Sequence, residues 1–538
     1  MIELNEQQAQ RLAKADEMRR EGVNPYPPRS GRTHSAAEAL ARFAGIEPSL
    51  AGQSDPEEVT VAGRVTAVRD MGKSVFTRLE DGSGTIQIYL RRNILGDEPF
   101  ASFKRLVDLG DFVQVPGHLF RTRTGEVTVE AGAFTLLAKA INPPPEKWHG
   151  LSDVETRFRQ RYADLMANAE TREVFVVRSN VVRSIRRFLD ERGFLEVETP
   201  SLQPLYGGAA ARPFTTHYNS LDQTFYLRIA DELYLKRLLV GGFERVYEIC
   251  KDYRNEGIDA LHSPEFTMLE FYVAYADYND VMVLCEEMIA GAARDALGTT
   301  TITRNGQEID LAPPWPRLTL REALIRWTGI DFLEVTDRGE LYERARALGT
   351  DVAPDTVWPR IVDELMKTFV RPNLVQPTFL IDYPVELSPL AKRSPEDPRI
   401  AERFQPFIAG FEVGNAFTEL NDPMDQLARF LEQARDRAAG DEEAMPIDDD
   451  YVNALMYGMP PTGGFGLGID RLVMLFTDRP NLREVILFPH LRAKPTPVLS
   501  GISGAGAQST LVGVDEGAER DGSRPHQSAG ADDGGLDD

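Results

Sequence analysis

The sequence is short of cysteine and of long apolar segments. Cys250 and Cys285 are the two cysteines among 538 residues, which argues against a disulfide framework or a cysteine-based zinc site and favours a reducing compartment. We expect both thiols to be ordinary core residues. A run of about 18 apolar residues, long enough for a transmembrane helix, is missing. The charged N-terminus also lacks the apolar segment of a signal peptide, so we expect a cytoplasmic protein without a membrane partner.

Positive charge is also scarce, because the formal net charge is -24. Such an acidic average does not exclude a nucleic-acid partner, since binding depends on local patches rather than on the sum. Residues 1–150 are much less acidic than the rest of the chain. A polyanion would therefore dock in this front part.

The chain divides into segments of different composition. Residues 1–58 are polar and begin with a predicted helix. Residues 59–140 hold five short β-patterned runs with one helical insert, which fits a five-stranded barrel of the OB type. A proline-rich connector follows at 141–150, and 151–494 form one large mixed domain, so the fold class is α+β. Residues 495–538 are rich in Gly, Ser, Ala and Asp and are predicted to be disordered.

Three residues of the predicted barrel suit an unpaired nucleic-acid base. Phe76 and Gln87 lie on neighbouring predicted strands and Glu126 on a third. An aromatic ring on such a sheet stacks a base, worth about 1–3 kcal/mol, and amide and carboxylate groups read base edges. The ordinary alternative is a core role for Phe76 and solvated positions for Gln87 and Glu126. From the residues alone this alternative is the more common one.

A carboxylate stands on an aromatic face in the stretch EFTMLEFY. Strand alternation places Phe266, Met268, Glu270 and Tyr272 on one face. A desolvated carboxylate there is unfavourable unless a positive group pairs with it. Either an internal Arg or Lys, or a cationic ligand, has to fill that role.

The same pattern recurs in GFEVGNAFTELND. Alternation puts Asn415, Phe417 and Glu419 on one face, while Glu412 joins them only if the strand is bulged near Gly414. Several acids with aromatics and few nearby bases predict a pocket for a cationic ligand.

A third acid and three basic residues complete the candidate set. Glu232 begins a predicted helix. Arg254 precedes a glycine turn, and Arg471 follows glycines that let backbone approach a flat or phosphorylated ligand. Guanidinium groups suit phosphate and carboxylate because they donate in a planar fork. His262 is positioned to contact phosphate, although a lone surface histidine is more often incidental.

Together these stretches resemble a known family. YRNEG (253–257) resembles motif 2 of class II aminoacyl-tRNA synthetases, GLGIDR (466–471) resembles motif 3, and FLEVETP (194–200) resembles motif 1. The stretches YGGAAARPF, LRIADELYLKRLLVGG and FTELNDPMDQLARF resemble the lysyl-tRNA synthetase branch, and the barrel resembles its anticodon-binding domain. The match covers roughly residues 10–494. It implies a catalytic domain with a mainly antiparallel sheet flanked by helices.

The resemblance implies activation of L-lysine with ATP to lysyl-adenylate and pyrophosphate, and then transfer to the 3′-terminal adenosine of tRNA(Lys). Arg254 and Arg471 are the implied catalytic residues, on the α-phosphate and γ-phosphate respectively. The implied ATP contacts are Arg254, Glu256, His262, Phe266 on adenine, Glu412 and Arg471. The implied lysine contacts are Gly208 and Glu232 for the α-amine, Asn415 for the carboxylate, Phe417, Glu270, and Tyr272 with Glu419 for the ε-ammonium. The implied anticodon contacts are Phe76, Gln87 and Glu126.

One position departs from the family pattern. The family usually carries an acid where this chain has Gln405, and that acid helps Glu412 to bind Mg²⁺. An amide oxygen can coordinate a hard cation without supplying charge, so we expect looser binding of at least one Mg²⁺. The family is dimeric through motif 1, so a homodimer is expected, with tRNA and not DNA as the nucleic-acid partner.

Two alternatives remain beside this interpretation. A related enzyme for aspartate or asparagine needs basic groups facing the substrate side chain, where this chain places Glu270 and Glu419. A non-catalytic paralogue that binds tRNA or an amino acid is supported by Gln405, while Arg254 and Arg471 count against it.

Overall fold

The computed structural model describes residues 4–145, 151–438 and 445–492. These residues form two compact units, one before and one after the division at Pro143 and Pro144. That division falls inside the predicted connector, whose residues 146–150 lie outside the described part. The predicted disordered tail, 495–538, also lies outside it. No described helix is long and apolar enough to cross a membrane.

The first unit is the expected five-stranded barrel, which is confirmed. Its strands are β1 (Glu58–Asp70), β2 (Ser74–Asp81), β3 (Gly84–Arg91), β4 (Phe112–Arg121), β5 (Val127–Ala131) and β6 (Thr135–Ala138). Its helices are α1 (Glu6–Arg20), α2 (Ala36–Ile46), α3 (Arg92–Leu95) and α4 (Asp97–Leu106). The order β1-β2-β3-β5-β4 is closed by pairing of β4 with β1, and β6 extends the sheet from β4. Closure leaves no free edge among the five barrel strands.

Alternating apolar residues explain the barrel. Along β1, Val59, Val61, Gly63 and Val65 are buried, and the residues that alternate with them are less buried. Period-2 burial of this kind is typical of a strand with one face toward a core. Helix α2 packs on the barrel through Ala39 and Phe43.

The second unit is a large mixed domain. Its helices are α5 (Val154–Arg159), α6 (Arg161–Ala167), α7 (Ala169–Asp190), α8 (Glu232–Val240), α9 (Tyr278–Leu297), α10 (Leu320–Thr328), α11 (Arg338–Ala347), α12 (Trp358–Leu365), α13 (Pro423–Ala438), α14 (Asp449–Met456), α15 (Ile469–Phe476) and α16 (Leu482–Val485). Its strands are β7 (Leu195–Glu196), β8 (Leu202–Gln203), β9 (Thr215–Tyr218), β10 (Gln223–Leu227), β11 (Arg245–Tyr253), β12 (Glu265–Ala274), β13 (Thr301–Arg304), β14 (Gln307–Asp310), β15 (Arg317–Thr319), β16 (Thr378–Pro384), β17 (Ile400–Ile408), β18 (Phe411–Glu412), β19 (Gly414–Thr418) and β20 (Thr462–Gly468).

The main sheet runs in the order β15-β16-β17-β19-β20-β12-β11-β7, with β18 paired to β17. Pairing is antiparallel except between β15 and β16 and between β11 and β7. The expected mainly antiparallel sheet with flanking helices is thereby confirmed.

One face of this sheet packs against α7 and α9, and the other packs in part against α8 and α14. Leu269, Phe271 and Val273 of β12 belong to a core shared with α7 and α9. Cys285 of α9 is in that core, and both cysteines are buried free thiols, as expected. Because strand residues alternate, Glu270 and Tyr272 face the opposite side. The polar side of the sheet is therefore left for a ligand.

Candidate active-site cleft

Glycines of β20 form the floor of a cleft of about 860 Å³. In the sheet register, Gly464 lies between Tyr272 and Phe417, and Gly466 lies between Glu270 and Asn415. A Cβ at Gly464 would overlap Glu419 Oε1 and the Tyr272 ring. The missing side chains therefore open the space around which these residues gather.

The predicted faces of both strands are present. Phe266, Met268, Glu270 and Tyr272 all line the cleft, and so do the three residues predicted on the second strand, Asn415, Phe417 and Glu419. The cross-strand pairing through β20 brings the two faces together. Alternation alone therefore located the acidic and aromatic walls.

Glu412 reaches the cleft through a break rather than through the bulge considered at Gly414. It ends β18, and Val413 separates that strand from β19. Val413 donates its backbone N–H to Pro406 O at 3.0 Å and accepts from Gly468 N at 3.1 Å. These two bonds anchor the break, and Glu412 lines the cleft beside Asn415.

At the acidic end, burial dominates the electrostatics. Glu270 accepts a hydrogen bond from the Tyr272 hydroxyl at 2.7 Å. Burial, and then the nearby Asp231 and Glu232, raise the pKa of Glu270. Burial likewise raises the pKa of Glu419 to about 8, although the Lys236 ammonium opposes the shift. An additional cation would favour the ionised carboxylates.

Lys236 is the residue that sequence reasoning missed here. Its ammonium is fully buried, lies 2.5 Å from Glu232 Oε1, and also forms an ion pair with Glu419. The expectation of few nearby bases was therefore wrong at this point. A signal existed, because Glu232 and Lys236 are four residues apart on one helix and such pairs face each other.

The arginine end contains a ring and two guanidinium groups. The Arg254 guanidinium carbon lies 5.0 Å from the centroid of the Phe266 ring. Arg254 Nε is 3.4 Å from Ile229 O, and Arg471 Nη1 donates to Glu412 O at 3.1 Å. Both side chains line the cleft and are half-buried. They supply planar donors suited to phosphate and carboxylate oxygens.

The segment between β11 and β12 adds two further lining residues. Glu256 and His262 both line the cleft and are exposed. His262 Nδ1 lies 2.8 Å from Asp259 Oδ2. The Asp259 carboxylate also accepts the backbone N–H groups of Leu261 and His262, so it orders the turn that carries the imidazole.

Gly208 is fixed beside Glu232 by its backbone. Its φ is +85°, a left-handed conformation that favours glycine. A Cβ there would lie 3.1 Å from Ala230 Cβ and 3.2 Å from Glu232 Cβ. The backbone of Gly208 therefore approaches the acidic end more closely than other residues allow.

Arg403 was also missed by sequence reasoning. It lines the cleft and donates from Nε to Asn415 Oδ1 at 2.9 Å. Its guanidinium carbon lies 5.7 Å from the Phe417 ring centroid. Arg403 thus orients the amide of Asn415. Arg403 lies on β17, the strand next to β19. Alternation within one strand does not predict which strand lies beside it, so the sequence carries no direct signal for this contact.

Gln405 is a buried residue of β17. It is 5% exposed, and its Oε1 accepts a hydrogen bond from the Tyr383 hydroxyl at 2.6 Å. Of the described residues, Glu412 lines the cleft and Gln405 does not. The amide oxygen is therefore already engaged by a protein donor.

The three predicted barrel residues lie on one surface. Gln87 Nε2 donates to Glu126 Oε2 at 2.8 Å, and Arg78 donates to Glu126 Oε1 at 2.8 Å. Phe76 is half-buried outside the buried core and stacks on Tyr89, with ring centroids 4.4 Å apart at 18°. Phe76 therefore lies outside the buried core of the barrel, and the core alternative for this residue is wrong.

Comparisons with known proteins give the context of both units. Residues 153–492 match the model of class II tRNA synthetases (D, K and N), and residues 59–137 match the OB-fold nucleic acid binding domain. The chain is 57% identical over 494 residues to the lysine–tRNA ligase of Roseiflexus castenholzii, and the aligned region covers 92% of this chain and 100% of the relative. It is 57% identical over 494 residues to that of Chloroflexus aurantiacus, covering 92% and 99%. The ligase of Magnetococcus marinus is 49% identical over 498 residues, covering 91% and 98%.

Proposed function

The chain belongs to the class II tRNA synthetases, within the lysine–tRNA ligases, and we propose that its cleft joins L-lysine to tRNA(Lys) in two steps. The observation that carries this proposal is one cleft with opposite chemistry at its two ends. Acids surround one end, and Arg254 and Arg471 stand at the other. Such a cleft suits a cationic amino acid meeting a polyphosphate.

The acidic end binds lysine. Gly208 O and Glu232 receive the α-amine, Asn415 receives the carboxylate, and Phe417 packs on the aliphatic stem. Tyr272 and Glu419 receive the ε-ammonium, with Glu270 held behind them by the Tyr272 hydroxyl. With lysine bound, the ionised Glu232 and Glu419 carry two formal negative charges against one positive charge on Lys236, which complements the net positive charge of lysine.

The arginine end binds ATP. Phe266 stacks on adenine, while Glu256 and His262 contact the nucleotide from the intervening segment. Arg254 holds the α-phosphate together with the lysine carboxylate, and Arg471 contacts the γ-phosphate.

The reaction needs no protein nucleophile. A lysine carboxylate oxygen attacks the α-phosphorus of ATP, the bond to the bridging oxygen breaks, and pyrophosphate leaves. In the second step a hydroxyl of the 3′-terminal adenosine attacks the lysyl carbonyl, and AMP leaves. Arg254 positions both reactants of the first step and stabilises the charge that develops on the phosphoryl oxygens. Selectivity follows because a neutral or shorter amino acid leaves the buried Glu419 oxygens, which accept no hydrogen bond from the described chain, without a substrate donor.

Glu412 fits a role in holding Mg²⁺. It is a carboxylate at the arginine end, and Mg²⁺ is commonly bound by one or two carboxylates plus substrate phosphates. Gln405 adds no charge and its oxygen accepts from Tyr383. When bound, the ion supplies charge neutralisation on the phosphates. Glu412 is accordingly the single protein carboxylate that we assign to it.

The barrel surface binds the anticodon. Phe76 stacks a base, and the hydrogen-bonded pair Gln87 and Glu126 reads base edges. Breaking the hydrogen bond between Gln87 and Glu126 costs little free energy because both side chains are half-exposed. The nucleic-acid partner is therefore tRNA rather than DNA.

We also propose a cytoplasmic homodimer. The segment after α7 exposes apolar side chains, with Leu195 47% and Leu202 52% exposed. Leu195 lies within, and Leu202 just after, the stretch 194–200 that resembles motif 1, through which the family dimerises. Light scattering of the purified full chain tests this assignment, and a monomer mass at micromolar concentration would contradict it.

Amino-acid-dependent ATP–pyrophosphate exchange tests the main proposal. The assay is run with lysine, aspartate, asparagine and ornithine across a range of Mg²⁺ concentrations. Exchange with lysine alone is the expected outcome. Exchange with aspartate or asparagine would replace the substrate, and no exchange in a folded chain that binds tRNA would favour a binding paralogue.

A further inference from the structure

A cluster of carboxylates lies behind the cleft, apart from the residues assigned to ATP. Asp231 precedes α8, Asp252 lies on β11 and Glu270 on β12. One carboxylate oxygen from each lies within 4.8 Å of the others. Asp231 and Asp252 are 0% exposed and Glu270 is 6% exposed. Three acids from separate elements thus converge on a point that solvent barely reaches.

Several oxygens of this cluster have no partner. Asp231 Oδ1, Asp231 Oδ2 and Asp252 Oδ2 are buried and accept no hydrogen bond from any residue that the structure describes. Buried carboxylate oxygens are usually hydrogen-bonded, because desolvation without a partner is strongly unfavourable. Unpartnered carboxylate oxygens within such a cluster are what a ligand with positive charge requires.

The surrounding charges do not balance the cluster. Arg228 donates to Glu248 Oε1 at 2.7 Å and lies 3.4 Å from Asp252 Oδ1. Arg254 also attracts Asp252. Glu248 adds a fourth buried acid, so two arginines face four carboxylates. Excess negative charge in a buried place calls for another cation.

We propose that Asp231, Asp252 and Glu270 bind a hard divalent cation. The ligand set is all oxygen, which suits Mg²⁺, Ca²⁺ or Mn²⁺. Oxygens on opposite sides of a Ca²⁺-sized ion stand roughly 4.6–5.2 Å apart, because each bond is about 2.3–2.6 Å. The three carboxylate oxygens lie within 4.8 Å of one another, so such an ion fits among them without a large movement.

The neighbouring set with a thiol is a poorer site. Asp231, Glu248 and Cys250 also approach within 4.8 Å. However, both oxygens of Glu248 already accept hydrogen bonds, Oε1 from Arg228 and Oε2 from Thr199. Cys250 Sγ is 3.7 Å from Asp252 Oδ1 as a donor. Its groups are occupied, so the oxygen set is the one that remains open.

The ion has a structural consequence for the cleft. Glu270 is the one ligand that also lines the cleft, so the ion fixes the position of that carboxylate. The proposal rests on these contacts alone and does not depend on the reaction proposed above. It concerns a site distinct from Glu412 and independent of ATP.

Mn²⁺ binding to the full chain tests the proposal. The chelator-treated protein is titrated with Mn²⁺ and followed by electron paramagnetic resonance, without ATP or lysine. We expect one Mn²⁺ per chain, displaced by Ca²⁺ and retained in Glu412→Gln. In Asp231→Asn and Asp252→Asn, which keep the side-chain shape, affinity falls at least about tenfold. Cys250→Ser is the matched control in the same cluster and keeps the native affinity.

A thermal scan supplies the second measurement. Mn²⁺ raises the Tm of the native chain and of Cys250→Ser but not that of Asp231→Asn, since a ligand stabilises only the state that binds it. Absence of stoichiometric Mn²⁺ in the native chain would overturn the proposal, as would equal affinity in Asp231→Asn. Either result would instead mean that the carboxyl groups of the cluster share protons and bind no metal ion. Because the readout is binding without substrates, it is separate from failure of the exchange assay.

Discussion

The fully buried ammonium of Lys236 forms an ion pair with the fully buried carboxylate of Glu419. The two residues are 183 positions apart in the sequence. They meet because α8 packs beside the residue that directly follows β19. Neither Glu419 oxygen has a hydrogen bond of suitable geometry within the described chain. The carboxylate is therefore neutralised in part by an internal cation and still able to accept hydrogen bonds from a substrate ammonium.

Lys236→Met is expected to destabilise the second unit by about 3 kcal/mol. The change leaves buried Glu232 and Glu419 without their cation, and removing one partner of a buried pair typically costs about 3–5 kcal/mol. Denaturant unfolding measures the loss. Lys251→Met is the matched control, since Lys251 is 40% exposed and 3.8 Å from Glu265, and its effect should stay within about 0.5 kcal/mol. Equal stability of the two variants would contradict the structural role.

Lysine binding should strengthen as pH rises from 6 toward 8. Burial raises the pKa of Glu419 to about 8, so below that pH the neutral acid predominates and attracts an ammonium weakly. Binding of the cation favours the carboxylate and releases a proton, which allows at most about a tenfold change per pH unit. Calorimetry in buffers of different ionisation enthalpy counts the released proton. In Glu419→Gln the affinity should be low and independent of pH, and a flat profile in the native chain would refute the assignment.

Gly464→Ala should strongly reduce lysine-dependent exchange while leaving the fold intact. The added Cβ overlaps Glu419 Oε1 and the Tyr272 ring, so the ε-ammonium end of the site is filled. We expect a loss of about 100-fold in kcat/KM, equivalent to about 2.7 kcal/mol. Gly291→Ala is the control, because it lies within α9 and a Cβ there meets nothing within 4 Å. Alanine is the better helix former, so that variant should be as stable and active as the native chain.

The walls of the cleft were predictable because strand alternation is local. Phe266, Glu270 and Tyr272 share a face through a period of two residues, and the same rule placed Asn415 and Glu419. The barrel was predictable for the same reason, since its valines alternate and turn residues separate its runs. These features need no knowledge of distant contacts.

The partners of those walls were not predictable from local pattern. Arg403 meets Asn415 through strand pairing, and Glu412 faces the cleft because the chain breaks at Val413. Asp231, which precedes α8, lies close to Asp252 of β11. Each depends on how separate elements pack, which alternation within one element does not encode.

Gln405→Glu should lower the Mg²⁺ concentration that gives half-maximal exchange. A carboxylate at this place adds a negative charge near Glu412, and charge count raises affinity for a hard cation. Gln405→Met removes the oxygen while keeping the length and should raise or leave unchanged the requirement. The Tyr383 hydroxyl, 2.6 Å from Gln405 Oε1, can donate to the new carboxylate. Identical Mg²⁺ curves for Gln405→Glu and the native chain would remove position 405 from metal binding.

Phe76→Leu should weaken tRNA use without affecting amino-acid activation. Leucine preserves apolar packing beside Tyr89 but loses base stacking, which is worth about 1–3 kcal/mol, or about 5–150-fold in KM for tRNA. Aminoacylation kinetics measure this change, while lysine-dependent pyrophosphate exchange serves as the internal reference and should not move. Phe112→Leu is the matched variant on the same barrel, since Phe112 is 36% exposed on β4 and outside the three-residue surface. Because both variants remove one ring from one barrel, an equal rise in KM for both would mean that general barrel integrity, and not stacking at Phe76, governs tRNA binding.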